Sequence, residues 1–369
     1  MARIAYGLSG EGRGHATRVG TVVDELGDEH EFLLLASGMA YDFLRARFQH
    51  RRHVQVRRIP GLEFHYHDQR LHYPRCLWRS LPFLLQLRRN VREVVEQLRG
   101  FQVDLAITDF EPLLPRAARM LKIPLVSFDH QHFLRVGDFR HLPWKLRLKR
   151  WFLGSSVRLF CSGQQETIVS SFFKVPLRPG WEHVTQVGVL LRPAILAAHP
   201  CDAGHLLVYL RRFAKPNLWA ALRQCGRVIR IYGLGARPTQ GNLHFHAVDD
   251  LAFIRDLASC HAVISNAGNQ LVGESLYLQK PFLALPESGN FEQMLNAHFL
   301  QQCGGGMACD DEAFSLTELQ NFLAAVPRLT DTIRDVAVAG NEAAIAALRR
   351  CLANCTQPAS RLLAEPVAA

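Results

Sequence analysis

Long apolar runs and a cysteine framework are missing from this 369-residue sequence, and no leader segment is expected. No apolar run reaches the ~18 residues that a membrane-spanning helix needs. The first strand-like run, RIAYGL, begins at residue 3, so a secretory signal with its charged and apolar parts is not expected. The nine Cys residues are scattered, with no C-x-x-C pair and no paired His spacing. We therefore expect small buried cysteines rather than disulfides or a zinc site, and a cytoplasmic protein.

The glycine-rich stretch GLSGEGRGHATR, at 7–18, lacks the spacing of two common nucleotide-binding loops. Its glycines do not form G-x-G-x-x-G, and the next predicted strand runs into LLLASGM without the acidic residue that would bind a ribose. The sequence also has no G-x-x-x-x-G-K-[ST]. NAD, FAD and P-loop nucleotide binding are therefore not expected. A D-x-D triad is missing as well, and no metal site is predicted.

Positive charge is concentrated in the first half of the chain. Residues 1–195 hold 29 Lys and Arg against 18 Asp and Glu, a net charge of +11, whereas residues 196–369 sum to −1. A basic half indicates a polyanionic partner, such as an anionic membrane, a phosphorylated acceptor or nucleic acid. A solvated basic face without a partner is the alternative.

Short strand-like runs alternate with amphipathic stretches along the whole chain. This alternation predicts parallel sheets covered by helices on both faces. The pattern restarts after a Pro-containing segment at 190–204, which predicts two doubly wound α/β domains, 1–195 and 196–369 with C-terminal helices. The predicted strands of the first domain are 3–8, 31–37, 54–59, 105–110, 125–130 and 157–162, and those of the second are 205–210, 228–233, 243–248, 261–268 and 281–287.

The stretch at 7–18 nevertheless has the composition of an anion site. Glycine lets a backbone approach a ligand closely, and the N-terminus of a following helix presents free N–H groups and partial positive charge. His15, at the start of that helix, is expected to face the ligand crevice of a doubly wound sheet, and histidine is a common general base, so it is a candidate for that role. A capping histidine bonded to the backbone is the alternative.

A second polar constellation, ISNAGNQLVGESLYLQKPFLALPESGNFEQMLNAHFLQQCGGG, occupies 264–306. A buried strand runs into Asn266-Ala267-Gly268, and a helix is predicted from Asn269. Glu274 lies on one face of that helix, where a carboxylate suits two vicinal ribose hydroxyls, while the helix N-terminus suits a diphosphate. A second helix places Glu292, Gln293 and Asn296 on adjacent positions. A surface carboxylate and a solvated helix face are the alternatives.

This constellation resembles the nucleotide-sugar signature of GT-B glycosyltransferases. The resemblance is strongest to the branch related to the peptidoglycan N-acetylglucosaminyltransferase and to UDP-glucuronosyl and glucosyltransferases. GEGRGHATR at 10–18 resembles the G-x-G-x-GH-x-x-R loop of the same proteins, and TDFEP at 108–112 resembles a motif of their first domain. The resemblance covers the whole chain and implies a GT-B fold, with two Rossmann-like domains facing a central cleft.

The resemblance also implies roles for individual residues. Glu274 would bind the ribose, and Glu292 and Gln293 would hold the sugar. His15 would serve as the base, with Asp109 or Glu111 orienting or replacing it. Further donor-binding positions are Asn266, Ala267, Gly268, Asn269, Gln270, His246 and Val248, and the acceptor or phosphate loop comprises Gly10, Gly12, Gly14 and Arg18. Relatives often have a Gly/Ser-rich loop where this chain reads VYLRRFAK, so Arg211 would meet the diphosphate in part.

The expected reaction is an inverting, metal-independent transfer from a nucleotide diphosphosugar, UDP-linked, to a hydroxyl acceptor. The donor is a co-substrate, so no cofactor is expected. The basic first domain favours a lipid-linked acceptor or a cell-envelope glycan, with a peripheral position on the inner face of the plasma membrane as one possibility; nucleic acid is not expected. A nucleotide-sugar 2-epimerase and a non-catalytic GT-B subunit are the alternatives.

Overall fold

In the computed structural model, the chain forms two seven-stranded sheets covered by helices. The structure describes residues 1–356 except 11–12, 63–65, 68–69, 72, 145, 148–153, 155–156, 159, 211–214, 311 and 337. The strands of the described part are β1 (Arg3–Leu8), β2 (Glu31–Ala36), β3 (Val54–Arg58), β4 (Tyr66–His67), β5 (Arg70–Leu71), β6 (Leu105–Asp109), β7 (Leu125–Asp129), β8 (Glu166–Ser170), β9 (Thr185–Val187), β10 (Leu206–Tyr209), β11 (Ile229–Tyr232), β12 (Arg237–Gln240), β13 (Leu243–Phe245), β14 (Ala262–Ser265), β15 (Phe282–Ala284) and β16 (Gly306–Ala308).

The helices of the described part cover the faces of these sheets. They are α1 (Arg13–Leu26), α2 (Gly38–Phe48), α3 (Tyr73–Leu85), α4 (Leu87–Phe101), α5 (Leu113–Leu121), α6 (Phe133–Val136), α7 (Pro193–Leu196), α8 (Pro216–Gln224), α9 (Asp250–Ser259), α10 (Asn269–Tyr277), α11 (Phe291–Gln302), α12 (Leu316–Ile333) and α13 (Asn341–Thr356). None of them is both long and apolar enough to cross a lipid bilayer.

The first sheet has the order β3-β2-β1-β6-β7-β8-β9, and all its strands are parallel. Its central strands β6 and β7 are buried along their whole length, as expected of strands covered on both faces. The order reverses at β1, which lies between β2 and β6. Loops that follow β1 and β6 therefore open on the crevice where a doubly wound sheet binds its ligands.

The second sheet repeats this plan with the order β12-β13-β11-β10-β14-β15-β16. Only β12 is antiparallel to its neighbour. Here the order reverses at β10, between β11 and β14. The two sheets of alternating strands and helices confirm the predicted α/β class with two doubly wound units.

The boundary at residue 195 stays a prediction, but the last helix departs from the predicted grouping. Helix α13 packs on the first sheet, where Ile345 and Leu348 join the core formed by β1 and β2. Arg349 also pairs with Glu29 of the first domain. The apolar residues at positions 344, 345, 348 and 352 form one helical face that the first sheet covers.

One predicted strand is wrong. Residues Val157, Arg158 and Phe160 are helical, and the strand that follows β7 in the sheet is β8, at Glu166–Ser170. Val157 and Cys161 are both buried and four positions apart, and the Cys161 amide donates to the Val157 carbonyl at 3.0 Å. That spacing is helical, so the apolar run VRLFCS has two interpretations in sequence and tertiary packing selects the helix.

Candidate active site

His15 and Asp109 meet at the carboxyl edge of the first sheet. His15 lies in the first turn of α1, directly after the β1 loop, and Asp109 is the last residue of β6. The His15 Nδ1 lies 2.8 Å from Asp109 Oδ1. The Asp109 side chain is completely buried, whereas that of His15 keeps 14% of its surface exposed. No hydrogen bond reaches His15 Nε2 from any residue the structure describes, so this atom is available on the cleft side.

Arg18 forms a buried ion pair with Asp109. Its Nη1 donates to both Asp109 carboxylate oxygens at 2.8 Å. Burial opposes the charge on Arg18, but Asp109 outweighs this effect and the pKa of Arg18 is raised. Arg18 is almost completely buried. This arrangement supports a role in holding the Asp109 carboxylate in position, rather than the predicted place in a phosphate loop.

Glu111 lies two residues after Asp109 but points elsewhere. Its two carboxylate oxygens accept from the backbone amides of Leu113 and Leu114 at 2.7 Å, at the N-terminus of α5. Burial raises the pKa of Glu111 to about 7, although these two hydrogen bonds lower it in part. The geometry supports a helix-capping role. A catalytic role of Glu111 stays an untested prediction.

The predicted glycine loop is held against neighbouring elements. A Cβ on Gly10 would lie 2.3 Å from Ser37 Oγ, so the loop can pass Ser37 only as glycine. A Cβ on Gly14 would lie 3.7 Å from the Cβ of Gln270. The N-terminus of α1 therefore meets the N-terminus of α10 across the cleft. Gly12 lies outside the described residues.

Helix α10 begins at an uncapped position. Gly268 is its N-cap and has no side chain to bind the first amides. A Cβ on Gly268 would meet no atom of the described residues within 4 Å, so these residues leave the space beside it open. Free N–H groups and the helix dipole at such an end attract anions. Ala267, just before, has a φ of 56°, a strained conformation for a residue with a side chain and typical of functional turns.

The side chains around this turn fasten it in place. Asn266 donates to the Leu285 carbonyl at 3.0 Å. The Asn269 side chain instead crosses to the first domain, where its amide donates to the Ser170 carbonyl at 3.2 Å. Gln270 donates to the Leu190 carbonyl at 2.8 Å. The side-chain nitrogens of these three residues are therefore engaged within the protein, whereas Gln270 Oε1 has no partner among the described residues.

Glu274 is buried and paired. Arg192, between the two domains, donates from Nε to Glu274 Oε1 at 2.9 Å and from Nη2 to Oε2 at 2.7 Å. Gln270 Nε2 also donates to Oε1, at 3.0 Å. The cluster extends to Asp250, which lies 3.1 Å from Arg13 of α1. The ribose contact predicted for Glu274 stays a prediction, and it requires Arg192 to share this carboxylate or to move.

Glu292 and Gln293 do different things although they are adjacent. Glu292 Oε2 accepts from Gln131 Nε2 of the first domain at 3.0 Å. Gln293 accepts from the backbone amide of Glu287 at 2.7 Å and donates to its side chain at 3.2 Å. Gln293 thus fastens the loop before α11. Of these two residues, Glu292 is the one that hydrogen-bonds a described residue of the first domain.

The predicted base-contacting residues lie at the end of β13. The His246 ring stacks on Tyr232 with centroids 5.1 Å apart, and its Nε2 is buried without a hydrogen-bond partner among the described residues. Val248 is exposed. The two residues are therefore placed beside one another at the carboxyl edge of the second sheet. Arg211 lies outside the described residues.

Three residues that contribute to the site were not predicted. His130 and Gln131 follow β7 and bond across the cleft, His130 Nε2 to Asn296 Oδ1 at 3.0 Å and Gln131 to Glu292. Arg192 is the third. The signal that points to the first two is the polar run DHQH, which begins at the last residue of a buried strand, at the edge where ligands bind.

Comparison with known proteins decides the family. The family model described as Glycosyl transferase family 1 matches residues 2–327. The chain belongs to glycosyl transferase family 1. It is therefore a glycosyltransferase, and its reaction is the transfer of a sugar. No curated protein matches the chain.

Solved structures show that this family 1 glycosyltransferase has the predicted GT-B fold. CalG4, the calicheamicin glycosyltransferase, is 16% identical with a TM-score of 0.67, over 97% of this chain and 100% of that one. LpCGTa, solved in complex with UDP, is 16% identical with a TM-score of 0.66 over the same shares. MurG of Acinetobacter baumannii is 14% identical with a TM-score of 0.61, over 95% and 100%.

Proposed function

We propose that this glycosyltransferase moves a sugar from a UDP-linked donor to an acceptor hydroxyl, with inversion at the anomeric carbon and without a metal or other cofactor. The observation that carries the proposal is the His15 and Asp109 pair. Asp109 holds the Nδ1 of His15 at 2.8 Å, and Nε2 is left available. This is the arrangement a general base needs, because the orienting carboxylate sets the tautomer and stabilises the imidazolium that forms.

In the proposed mechanism, the acceptor oxygen attacks the anomeric carbon while its proton passes to His15 Nε2. The bond from the anomeric carbon to the diphosphate breaks on the opposite side. The backbone N–H groups at the start of α10 would stabilise the developing charge on the leaving diphosphate. A Cβ built on Gly14 would lie 3.7 Å from the Gln270 Cβ, so the first turn of α1, which carries the base, and the first turn of α10 are neighbours across the cleft.

The donor would lie along the second domain. Glu274 would accept from the ribose hydroxyls, His246 and Val248 would lie against the base, and Glu292 would hold the sugar. LpCGTa was solved with UDP, which favours a uridine nucleotide here. Arg192 already donates to both carboxylate oxygens of Glu274. We propose that the ribose hydroxyls either donate to the remaining lone pairs of these oxygens or displace Arg192.

The acceptor would approach from the basic first domain. Its net charge of +11 favours an anionic or lipid-linked molecule or a cell-envelope glycan, met by a peripheral protein at the inner membrane face. The basic segment 141–153 lies mostly outside the described residues. Trp144 within it is 67% exposed, and helix α3 of the same domain exposes Trp78 and Leu85. Such side chains favour the headgroup level of a bilayer.

A screen of nucleotide diphosphosugars by thermal unfolding tests the donor, and hydrolysis with and without acceptors tests transfer. A donor at about 100 times its Kd stabilises the fold by roughly 2.7 kcal/mol. We expect stabilisation by at least one UDP-sugar and its consumption when a hydroxyl acceptor is added. If no nucleotide diphosphosugar raises the unfolding temperature or is consumed, the proposed donor class is wrong.

A further inference from the structure

Gln131 lies at the point where the first domain touches the proposed sugar site. It follows β7 directly and is only 6% exposed. Two contacts between Asp129 and His132 span the turn that contains Gln131. Asp129 accepts from the His132 backbone amide at 2.8 Å and pairs with the His132 ring at 2.6 Å. Gln131 therefore has a defined backbone and little freedom.

The side chain of Gln131 crosses the cleft. Its Nε2 donates to Glu292 Oε2 at 3.0 Å, in the first turn of α11. The neighbouring His130 bonds Asn296 of the same helix at 3.0 Å. Two successive residues of the first domain are thus seated on the helix that carries the proposed sugar-binding carboxylate. The direction of the Glu292 side chain depends on Gln131.

The other atom of the Gln131 amide is unused. Its Oε1 is buried and accepts no hydrogen bond from any described residue. Reversing the amide would place that oxygen against the Glu292 carboxylate, so the assignment of nitrogen and oxygen follows from the contact. A buried acceptor without a donor costs free energy, and such groups in a binding cleft are commonly satisfied by a ligand or by water.

We propose that Gln131 is a specificity-determining residue that reads a hydroxyl group of the transferred sugar. This inference rests on the proposed function. The amide nitrogen holds Glu292 in place, and the free amide oxygen accepts from the sugar. Gln293, predicted for this role, already gives both its oxygen and its nitrogen to Glu287.

The chemistry of the pair defines the ligand. Gln131 Oε1 and the Glu292 carboxylate are both acceptors, so they suit two hydroxyl donors on neighbouring sugar carbons. An anionic substituent at the same place would meet the Glu292 charge and be disfavoured. The site thus favours neutral sugars at these positions.

The test uses the full chain and the variants Gln131→Met and Gln131→Asn. Both remove the proposed contact, and the second retains the amide but cannot reach. Gln165→Met is the matched control, because Gln165 bonds the Leu125 amide at the opposite end of β7. The kcat/KM is measured with UDP-glucose, UDP-galactose and UDP-N-acetylglucosamine, and with deoxy analogues of the best donor. The affinity for UDP and the thermal unfolding temperature are measured for the same proteins.

With the best donor, we expect kcat/KM to fall about tenfold in both Gln131 variants, the factor that ~1.4 kcal/mol represents, with unchanged UDP affinity. With the one deoxy analogue that lacks the contacted hydroxyl, the loss caused by the Gln131 variants should be smaller than with every other analogue, because only the positioning of Glu292 through the amide nitrogen remains to be lost. Gln165→Met should match wild type with every donor.

Two outcomes overturn the inference alone. One is a wild type that transfers sugar while the Gln131 variants keep its kcat/KM. The other is an equal loss with every deoxy analogue, which would show a structural role only. A wild type that binds no nucleotide diphosphosugar contradicts the proposed function and this inference together. If one variant fails to unfold cooperatively, the other decides.

Discussion

His15 and Asp109 lie 94 residues apart in sequence, yet their Nδ1 and Oδ1 atoms are 2.8 Å apart. The cause is the parallel pairing of β1 with β6, which places Leu8 opposite Asp109. Both strands end at the same edge of the sheet, so the loop after β1 and the last residue of β6 share one space. The proposed base and its orienting carboxylate are therefore adjacent because β1 and β6 are neighbouring parallel strands.

Replacing His15 should separate catalysis from donor binding. We expect His15→Ala to lower turnover by about 10²–10⁴-fold, the usual contribution of a general base, with nearly unchanged donor affinity in calorimetry. His50→Ala removes an exposed histidine of the same domain and serves as the control. If donor affinity collapses while bound donor still turns over, His15 is a binding residue, and Asp109 is the next candidate for the base.

Replacing Asp109 should cost stability as well as activity. Asp109→Asn leaves Arg18 buried beside a neutral amide, and breaking a buried ion pair costs about 3–5 kcal/mol. The double variant Asp109→Asn with Arg18→Met removes the unpaired charge and should recover most of this loss in urea unfolding. Turnover should stay low in both. Recovery of turnover together with stability would contradict the orienting role of Asp109.

The sheets were predictable because buried parallel strands are continuous apolar runs between helical stretches. The central runs at 3–8, 105–110 and 125–130 became β1, β6 and β7 within a residue of the predicted ends. The run at 157–162 was not, because its apolar residues also fit a helical face and only the neighbouring structure decides.

The site was predictable where a motif marks it and not where a contact crosses domains. The turn at Asn266-Ala267-Gly268 follows a buried strand and is visible in sequence. The pairing of Glu274 with Arg192 depends on the course of the segment between the domains, which no local pattern specifies. The same is true of Gln131, whose partner Glu292 lies 161 residues away.

Glu274 should be tested with its partner. Glu274→Gln should weaken donor binding by about 1.5–3 kcal/mol, the range for hydrogen bonds to charged groups, and should also destabilise the fold because Arg192 loses its counter-charge. Adding Arg192→Met removes that buried charge. Calorimetry should then show donor affinity still reduced while thermal stability recovers. A double variant that binds donor like wild type would remove Glu274 from the ribose role.

Glu111 should make stability fall as pH rises. Burial raises its pKa to about 7, so between its unfolded value near 4.5 and pH 7 the unfolded chain loses a proton that the folded chain keeps. The unfolding free energy contributed by this group then falls by about 3 kcal/mol over that interval and is flat on either side.

Glu111→Gln removes this titration and one of the two acceptors at α5. The variant should be less stable than wild type at pH 5, and the difference should shrink or reverse by pH 7.5. Urea unfolding at several pH values measures it. A difference that is constant from pH 5 to 7.5 would show that Glu111 ionises normally in the folded protein.

The membrane prediction depends on the basic segment 141–153. Each basic group near an anionic surface contributes about 1 kcal/mol, screened by salt. We expect the chain to sediment with vesicles containing phosphatidylglycerol but not with neutral ones, and to be released by high salt. Replacing Lys145, Arg147, Lys149 and Arg150 by Gln should abolish this binding while donor affinity is kept.

The matched control replaces four exposed arginines of the second half, Arg223, Arg255, Arg328 and Arg334, by Gln. This control changes the net charge by the same amount. If it still binds anionic vesicles, the contact depends on the segment 141–153 and not on the total charge of the protein. Trp78→Ala with Leu85→Ala would report whether the exposed side chains of α3 add an apolar part. Equal sedimentation of wild type with both kinds of vesicle, or with neither, would contradict the predicted membrane binding. A soluble acceptor would then be the expected partner of the basic domain.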